Sequence, residues 1–370
     1  MLKLIIQILI LLLRMESLKN FPSGFDRKNT KMIEIDGTFG EGGGQILRTS
    51  LSLAAITGQA AHIVNIRAKR TKPGLMRQHL ACVKAVTEIT GGHVSGAELN
   101  SRELTFEPGT IHGGDFHFAV GSAGSVTLIA QTVIPALLCA DVPSHVVIEG
   151  GTHTDQAPIF EFFDRVYLPA LRKMGAEITA KMESIGFYPA GGGKIVLDIQ
   201  PVKTWNRFEC MQTGKLNRSL LIVMGCDIDR QIMADEVFIC KDHLEVKEGF
   251  QHETQNVKSP GPGNVLYAQM EYENITELFS VCGEFNVSRR EVGKRVAGMV
   301  NKYLMLNVPV WRFLADQLLL PMAIGAGGKY LTSPPSKHTQ TNIEVIRKFL
   351  NTDIELENRK NETYVIEVKK

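Results

Sequence analysis

The chain of 370 residues carries 41 Lys and Arg against 39 Asp and Glu, a net charge of +2 at pH 7, so no global positive field recruits nucleic acid and any such partner has to be held by a local patch. With 44% hydrophobic and 22% charged residues the composition is that of a globular enzyme of one large domain or two to three ordinary ones. Six cysteines, Cys82, Cys139, Cys210, Cys226, Cys240 and Cys282, lie far apart without a C-x-x-C pair, which argues against a zinc or disulfide framework and for reduced core thiols in the cytoplasm.

In chain order the first feature is an apolar segment, LKLIIQILILLL (2–13), with Lys3 inside it and Arg14 after it. It is shorter than the roughly 20 apolar residues that cross a bilayer, and no small-residue cleavage site follows. Residues 1–30 therefore read as an extension upstream of the folded body, with Met15 and Met32 as alternative starts, and no stable membrane association is expected.

From residue 31 onward, short β-branched runs alternate with helical patterns: KMIEIDG, GGGQILRTSLSLAAITG, AAHIVNIRAK, MRQHLACVKAVTEITGG. That alternation predicts an α/β or α+β fold. The phrase at 62–94 (HIVNIRAK, helix, TGGHV) returns at 145–178 (HVVIEGGT, helix, MGAEI), an offset of about 83 residues, and both copies lead into a Gly-rich turn and strand. An internal duplication is the simplest cause. A weaker third copy is expected from VGKRVAGMVNKYL (292–304) to the closing strand ETYVIEVKK. Between them the rhythm breaks, with polar stretches such as HETQNVKSPGPGN, which predicts an inserted smaller domain at 203–282 within a large repeat domain formed by 31–202 and 283–370.

Three stretches carry the chemistry. In IDGTFGEGGGQILRTS (35–50) glycines follow a strand and precede a helix, so backbone N–H groups approach an anion that the helix N-terminus also favours. It is neither a P-loop nor a G-x-G-x-x-G, since Gln45 stands where the last glycine belongs. Glu41 in this turn suits a divalent cation that neutralises carboxylate and anion together, and Arg48, a helical turn beyond, would face the same ligand. IRAKRTKPGLMRQHL (66–80) follows with Arg67, Lys69, Arg70, Lys72 and Arg77. An extended backbone would put Arg67 and Arg70 on opposite faces, the arginines suit bidentate phosphate contact, and Gln78 and His79 open the next helix. Finally, SPPSKHTQTNIEVIRKF (333–349) holds His338 in a Pro- and hydroxyl-rich loop before an amphipathic run at 343–350; Thr339, Thr341 and Asn342 offer caps. Alone, one imidazole there specifies no chemistry.

Read together, GEGGGQILR (40–48), IRAKRTKPGLMRQHL (66–80), VGSAGSVTLIAQTVIPAL (120–137), GFYPAGGG (186–193), FLADQLLLPMAIGAGG (313–328) and SKHTQTNI (336–343) resemble the RNA 3′-terminal phosphate cyclases in order and spacing, over residues 31–356. The resemblance implies a large domain of repeated units, each with two helices packed on a sheet, and a small α/β insert domain. It implies an ATP-dependent conversion of an RNA 3′-terminal phosphate to a 2′,3′-cyclic phosphodiester through a covalent histidine–AMP intermediate, releasing AMP and pyrophosphate, with Mg²⁺ or Mn²⁺ and RNA 3′-phosphate ends as partners. His338 corresponds to the family's nucleophile, adenylylated at Nε2, and Glu41 to its metal-coordinating carboxylate. Gln131, Phe313, Leu314, Ala315, Asp316 and Gln317 match the ATP pocket, and Pro158 the other wall of the adenine slot; the family's pattern has tyrosine where this chain has Phe313, which keeps the stacking face and loses the hydroxyl. Arg48, Arg67, Arg70, Gln78 and His79 match polar residues needed for activity, the arginines holding triphosphate or RNA phosphate. The rivals are a non-catalytic cyclase-like ribosome-assembly factor, which lacks the histidine, and an enolpyruvyl transferase, which needs none.

Overall fold

A computed structural model describes residues 32–246 and 249–370; the apolar segment and the extension expected at 1–30 lie outside the described residues. The first sheet contains β1 (Ile33–Asp36), β2 (Ala61–Val64), β3 (His93–Ser95) and β4 (Leu104–Glu107) in the order β1-β2-β4-β3. β1 runs parallel to β2, and β4 is antiparallel to both of its neighbours. Helices α1 (Gly44–Thr57) and α2 (Arg77–Thr90) fill the connections after β1 and after β2. Both stop where Gly58 and Gly91 take left-handed φ values of 69° and 57°, a conformation that costs glycine little.

The second sheet repeats this plan. β5 (Gly114–Ala119), β6 (Ser144–Gly150), β7 (Ile178–Ser184) and β8 (Gly193–Ile199) lie in the order β5-β6-β8-β7, with only the β5–β6 pair parallel. Its helices are α3 (Val126–Leu137) and α4, which runs through Phe160–Phe162, a π-helical turn at Phe163–Tyr167 and Leu168–Lys173. α2 begins at Arg77 and α4 at Phe160, so the sequence offset matches the spatial repeat.

A third copy opens with β9 (Phe208–Cys210), and here the chain departs. It first forms β10 (Leu216–Cys226), α5 (Arg230–His243), β11 (Phe250–Asn256), β12 (Gly263–Tyr272), β13 (Thr276–Cys282) and α6 (Arg289–Leu306). It returns with α7 (Arg312–Ile324), β14 (Gly328–Thr332), α8 (Lys337–Phe349), β15 (Asp353–Asn358) and β16 (Tyr364–Lys369). β9 is parallel to β14, and the sheet order β15-β16-β14-β9 reproduces the plan of the other two. β9 thus lies inside the stretch 203–282 yet pairs with the third sheet, while α6, beyond residue 282, packs on the smaller sheet of β10–β13. The segment read as the start of the third copy (292–304) is that helix; α7 opens the returning part of the copy. The physical reason is the face it covers: Val292, Val296, Ala297, Val300 and Tyr303 of α6 join the core of the small sheet.

The central strands of the small sheet, β10 and β12, are buried on both faces. Every residue of β10 from 219 to 226 is buried; Leu221 and Val223 face the core under α5 and α6, while Leu220, Ile222 and Met224 join the larger core of the repeats. A strand with two buried faces has to be apolar along most of its length, and LLIVM (220–224) is. Elsewhere α1 packs against α2, α3 and α8, and α8 against α7, which brings the N-terminal turns of α1, α2, α7 and α8 to one region. Among the described residues no helix is long and apolar enough to cross a membrane, and all six cysteines are free.

Candidate active site

The glycine run before α1 is dictated by what comes close to it. A Cβ on Gly43 would stand 2.8 Å from Nη2 of Arg70, and one on Gly44 would overlap the His79 imidazole and lie 3.3 Å from Nη1 of Arg48. Absence of side chains is what lets two arginines and a histidine converge on the start of the helix.

His338 is the second residue of α8, not a member of the loop before it. Pro334 and Pro335 precede the helix, and Ser336 caps it, its Oγ accepting from Thr339 N–H at 3.0 Å. The helix therefore begins six residues earlier than the amphipathic run implied, and Thr341 and Asn342 lie within it. Asn342 ties α8 to its neighbours, donating from Nδ2 to the Asp316 carbonyl at 2.8 Å and accepting from Thr49 Oγ1 at 2.7 Å.

Both ring nitrogens of His338 are engaged. Nε2 lies 2.5 Å from Glu41 Oε2, and Nδ1 lies 2.5 Å from Gln45 Oε1. Gln45 donates from Nε2 to Asp316 Oδ2 at 2.9 Å, and Arg70 donates from Nη2 to Glu41 Oε1 at 2.6 Å. The imidazole keeps 45% of its surface accessible, so it is held yet reachable. Burial lowers its pKa, Glu41 opposes this, and Arg48, Arg70 and Arg312 add to the lowering. Burial and the arginines thus favour the neutral ring, and the Glu41 carboxylate favours the charged one. Burial likewise pushes Asp316 up to about 7, against the pull of Arg48.

His79 is buried, and its pKa falls to about 3, first by burial and then by Arg48, Arg67 and Arg70. Its Nδ1 accepts from Met76 N–H at 3.3 Å, so the proton of this neutral ring sits on Nε2, facing Gly44. Arg67 serves its own turn, donating from Nη1 to the carbonyls of Lys72 and Gly74 at 2.6 and 2.8 Å. The segment 65–75 is a succession of turns, with Ala68 N–H bonded to Asn65 O and Arg70 N–H to Arg67 O. The alternating faces expected of an extended chain do not apply there, and Arg67 and Arg70 both act on His79.

Gln78 accepts from Ser125 N–H at the N-cap of α3 at 3.4 Å. Gln131, inside the apolar α3, is half-buried and donates to Gln317 Oε1 at 2.5 Å; Gln317 donates in turn to the Phe313 carbonyl at 2.6 Å. Phe313 is exposed under the Arg312 guanidinium, 5.1 Å from its centroid, and the Pro158 carbonyl accepts from Thr127 Oγ1 at 2.7 Å. Leu314 and Ala315 are core residues: their side chains hold α7 down and are withdrawn from any ligand. Sequence reasoning missed Gln45, noted only as a failed glycine, and Arg312. The pairing of Gln45 with His338 across 293 residues has no local signal.

Arginines 48, 67, 70 and 312 and several helix N-termini give this region the field that polyphosphate seeks. Mg²⁺ is commonly bound by one or two carboxylates plus substrate phosphates. Among the described residues no group of three or more His, Cys, Asp or Glu is arranged as a metal site; the Glu41 carboxylate meets Arg70 at Oε1 and His338 at Oε2.

The chain matches the family model described as RNA 3′-terminal phosphate cyclase over residues 39–356. It is 41% identical over 334 residues to the RNA 3′-terminal phosphate cyclase of Koribacter versatilis (strain Ellin345), covering 90% of this chain and 94% of that protein. Among solved structures it is similar to the enolpyruvyl transferase NikO from Streptomyces tendae, at 11% identity and a TM-score of 0.36, covering 91% of this chain and 48% of that one. It is also similar to the EPSP synthase of Acinetobacter baumannii, at 14% identity and a TM-score of 0.30, covering 92% and 65%. The chain spans less than two thirds of either solved structure, and both likenesses are too slight to bear on fold or function.

Proposed function

The chain belongs to the RNA 3′-terminal phosphate cyclase family, and we propose that it uses ATP to convert an RNA 3′-terminal phosphate into a 2′,3′-cyclic phosphodiester, with His338 as the nucleophile. The observation that carries this reading is the His338 imidazole itself: half-exposed, set in the first turn of α8 between Glu41 and Gln45, with burial and arginines favouring its neutral form.

Closing a strained ring by expelling oxygen from a phosphate monoester is uphill, so the phosphate must first acquire a good leaving group. In the first step Glu41 yields its contact with His338 Nε2 and the Nε2 lone pair attacks the α-phosphorus of ATP; the N–P bond forms, the P–O bond to the β-phosphate breaks, and pyrophosphate leaves with the electron pair. Arg48 and Arg70 balance charge on the phosphates, and neutral His79 offers its Nε2–H as a donor without adding charge. Phe313 offers a face on which adenine stacks. Glu41 would hold Mg²⁺ or Mn²⁺, which supplies charge neutralisation at the triphosphate.

In the second step an oxygen of the RNA 3′-phosphate displaces the imidazole, giving an RNA–phosphate–AMP anhydride. The neighbouring 2′-hydroxyl then attacks the activated phosphate, AMP departs, and the ring closes. That attack is intramolecular, where effective molarities reach roughly 10⁵ to 10⁸ M, so activation is the task left to the protein. Incubation with α-labelled ATP and Mg²⁺ or Mn²⁺ should transfer label to the protein, and His338→Ala should abolish transfer. Undiminished label on the Ala variant would place the nucleophile elsewhere.

A further inference from the structure

Thr127 and Gln131 stand four residues apart on α3 and share one face of it. Thr127 Oγ1 donates to the Pro158 carbonyl at 2.7 Å, while Gln131 donates to Gln317, which donates to the Phe313 carbonyl. One helix therefore tethers both Phe313 on α7 and Pro158 on the loop between β6 and α4. The two anchorages differ. Phe313 belongs to a regular helix, whereas the loop GTHTDQAPI (151–159) leaves Asp155 and Gln156 exposed and puts Gln156 at a left-handed φ of 57°, which a side chain keeps only where the surroundings impose it. The loop is closed at its foot. Phe160 N–H donates to the Thr152 carbonyl at 3.2 Å, and beside it His153 Nε2 lies 2.7 Å from Glu161 Oε2, with both side chains buried.

The pair is built into its surroundings. His153 Nδ1 lies 2.8 Å from Thr152 Oγ1, which accepts from Gly186 N–H at 3.0 Å, and the ring packs against Phe187 with centroids 5.4 Å apart. Burial alone would raise the Glu161 pKa, but His153 and then Arg165 more than offset it and hold the carboxyl below its ordinary range. A buried carboxylate has to be paired and hydrogen-bonded, and His153 does both. We propose that His153 and Glu161 are positioning residues for the nucleotide base: by locking the foot of the loop they hold Pro158 opposite Phe313, at the separation that admits an adenine ring between them. This rests on the reading of Phe313 and Pro158 as the two walls of the slot for the base of ATP. Neither member of the pair touches nucleotide. Their effect passes through Pro158, so it falls on the base and leaves the phosphates alone.

Calorimetric binding of AMP and of inorganic pyrophosphate separates base from phosphate, since only AMP carries a base. Replacing both members of the pair, His153→Leu with Glu161→Leu, removes the tether without leaving a buried charge unpaired. AMP should then bind about 10-fold more weakly, the scale on which one stacking face counts for a nucleobase. Pyrophosphate should bind as before, a split that general loosening of the fold would not give. In self-adenylylation KM for ATP should rise likewise with kcat little changed, as for an interaction shared by ground and transition states. His153→Gln, which keeps a donor for Glu161, should bind AMP as the unaltered protein does. If the double variant does not fold, Glu161→Leu alone, which leaves behind only an imidazole that can be neutral, is read in the same way. Native AMP binding by the double variant, equal loss of AMP and pyrophosphate, or as large a loss in His153→Gln would overturn the positioning role. Phe313→Ala checks the reading beneath it: AMP bound undiminished by that variant, or not bound by the unaltered protein, would overturn the base slot itself, whereas weakened AMP there beside native AMP in the double variant would overturn the role of His153 and Glu161 alone.

Discussion

Two histidines lie within reach of the same arginines and are tuned for different tasks. His79 is buried and driven to about 3, so it is a neutral hydrogen-bond donor at any physiological pH. His338 is half-exposed, and Glu41 partly offsets the burial and the arginine field that lower it. The sign of the resulting pH dependence follows directly: the neutral ring is the nucleophile, and a folded pKa below the ordinary value of about 6.5 extends the neutral form toward acid. Single-turnover adenylylation at saturating ATP should therefore stay level as the pH falls through 6.5 and decline only at lower pH; a decline centred at or above that value would contradict the environment described for the ring. The residue types at this site were legible from the motifs. Their wiring was not, since Glu41, Gln45 and His338 meet only when the N-terminal turns of α1 and α8 are brought together, and Arg67 turns its guanidinium onto carbonyls that no side-chain pattern reports.

At the scale of elements, the helix start decides where the nucleophile points. Thr339, Thr341 and Asn342 all look like caps, yet the cap is Ser336, with Thr341 Oγ1 donating back to the Lys337 carbonyl at 2.6 Å inside the helix. Hydroxyl residues bond to backbone in more than one local geometry, which is why the helix starts six positions ahead of the amphipathic run at 343–350. Loss of an N-cap costs about 1 kcal/mol, and here the unsatisfied turn is the one that carries His338. Ser336→Ala should lower stability by about that amount in urea unfolding and should also slow self-adenylylation, whereas Ser336→Asp should preserve both. Native adenylylation in a destabilised Ala variant would show that the first turn of α8 does not orient the ring. The strands that repeat at an offset of about 83 residues were readable because β2 and β6 bury every second residue, Ala61 and Ile63 in one and Val146 and Ile148 in the other. β9 was not, being three residues that pair with β14 far along the chain.

Across the whole molecule, the smaller sheet is fastened to the site-bearing helices by a buried carboxyl. Glu277, on β13, accepts from Trp311 N–H at the N-cap of α7 through Oε1 at 2.7 Å, and its Oε2 has no hydrogen-bond partner among the described residues. Burial pushes its pKa to about 8, and burial pushes that of Glu236, hydrogen-bonded to Asn264 beneath α5, to about 7. Both folded values exceed the ordinary 4.5, so the folded state binds more protons than the unfolded chain. Stability contributed by these groups is complete below 4.5 and is lost as the pH rises through about 7 and about 8, at up to about 1.4 kcal/mol per pH unit for each proton difference. Glu277→Gln keeps an oxygen for Trp311 N–H and cannot ionise, so its urea midpoint should fall less steeply than that of the native protein between pH 5 and pH 8, with the gap widening toward the alkaline end. Parallel curves for the two proteins would mean that Glu277 is already charged when folded, compensated by a partner for its Oε2. Because the same carboxyl holds the start of α7, the helix that carries Phe313 and Asp316, its ionisation should loosen the nucleotide site and the joint between small sheet and repeats together. Adenylylation by the Gln variant should accordingly resist alkaline loss in the range where the native midpoint falls.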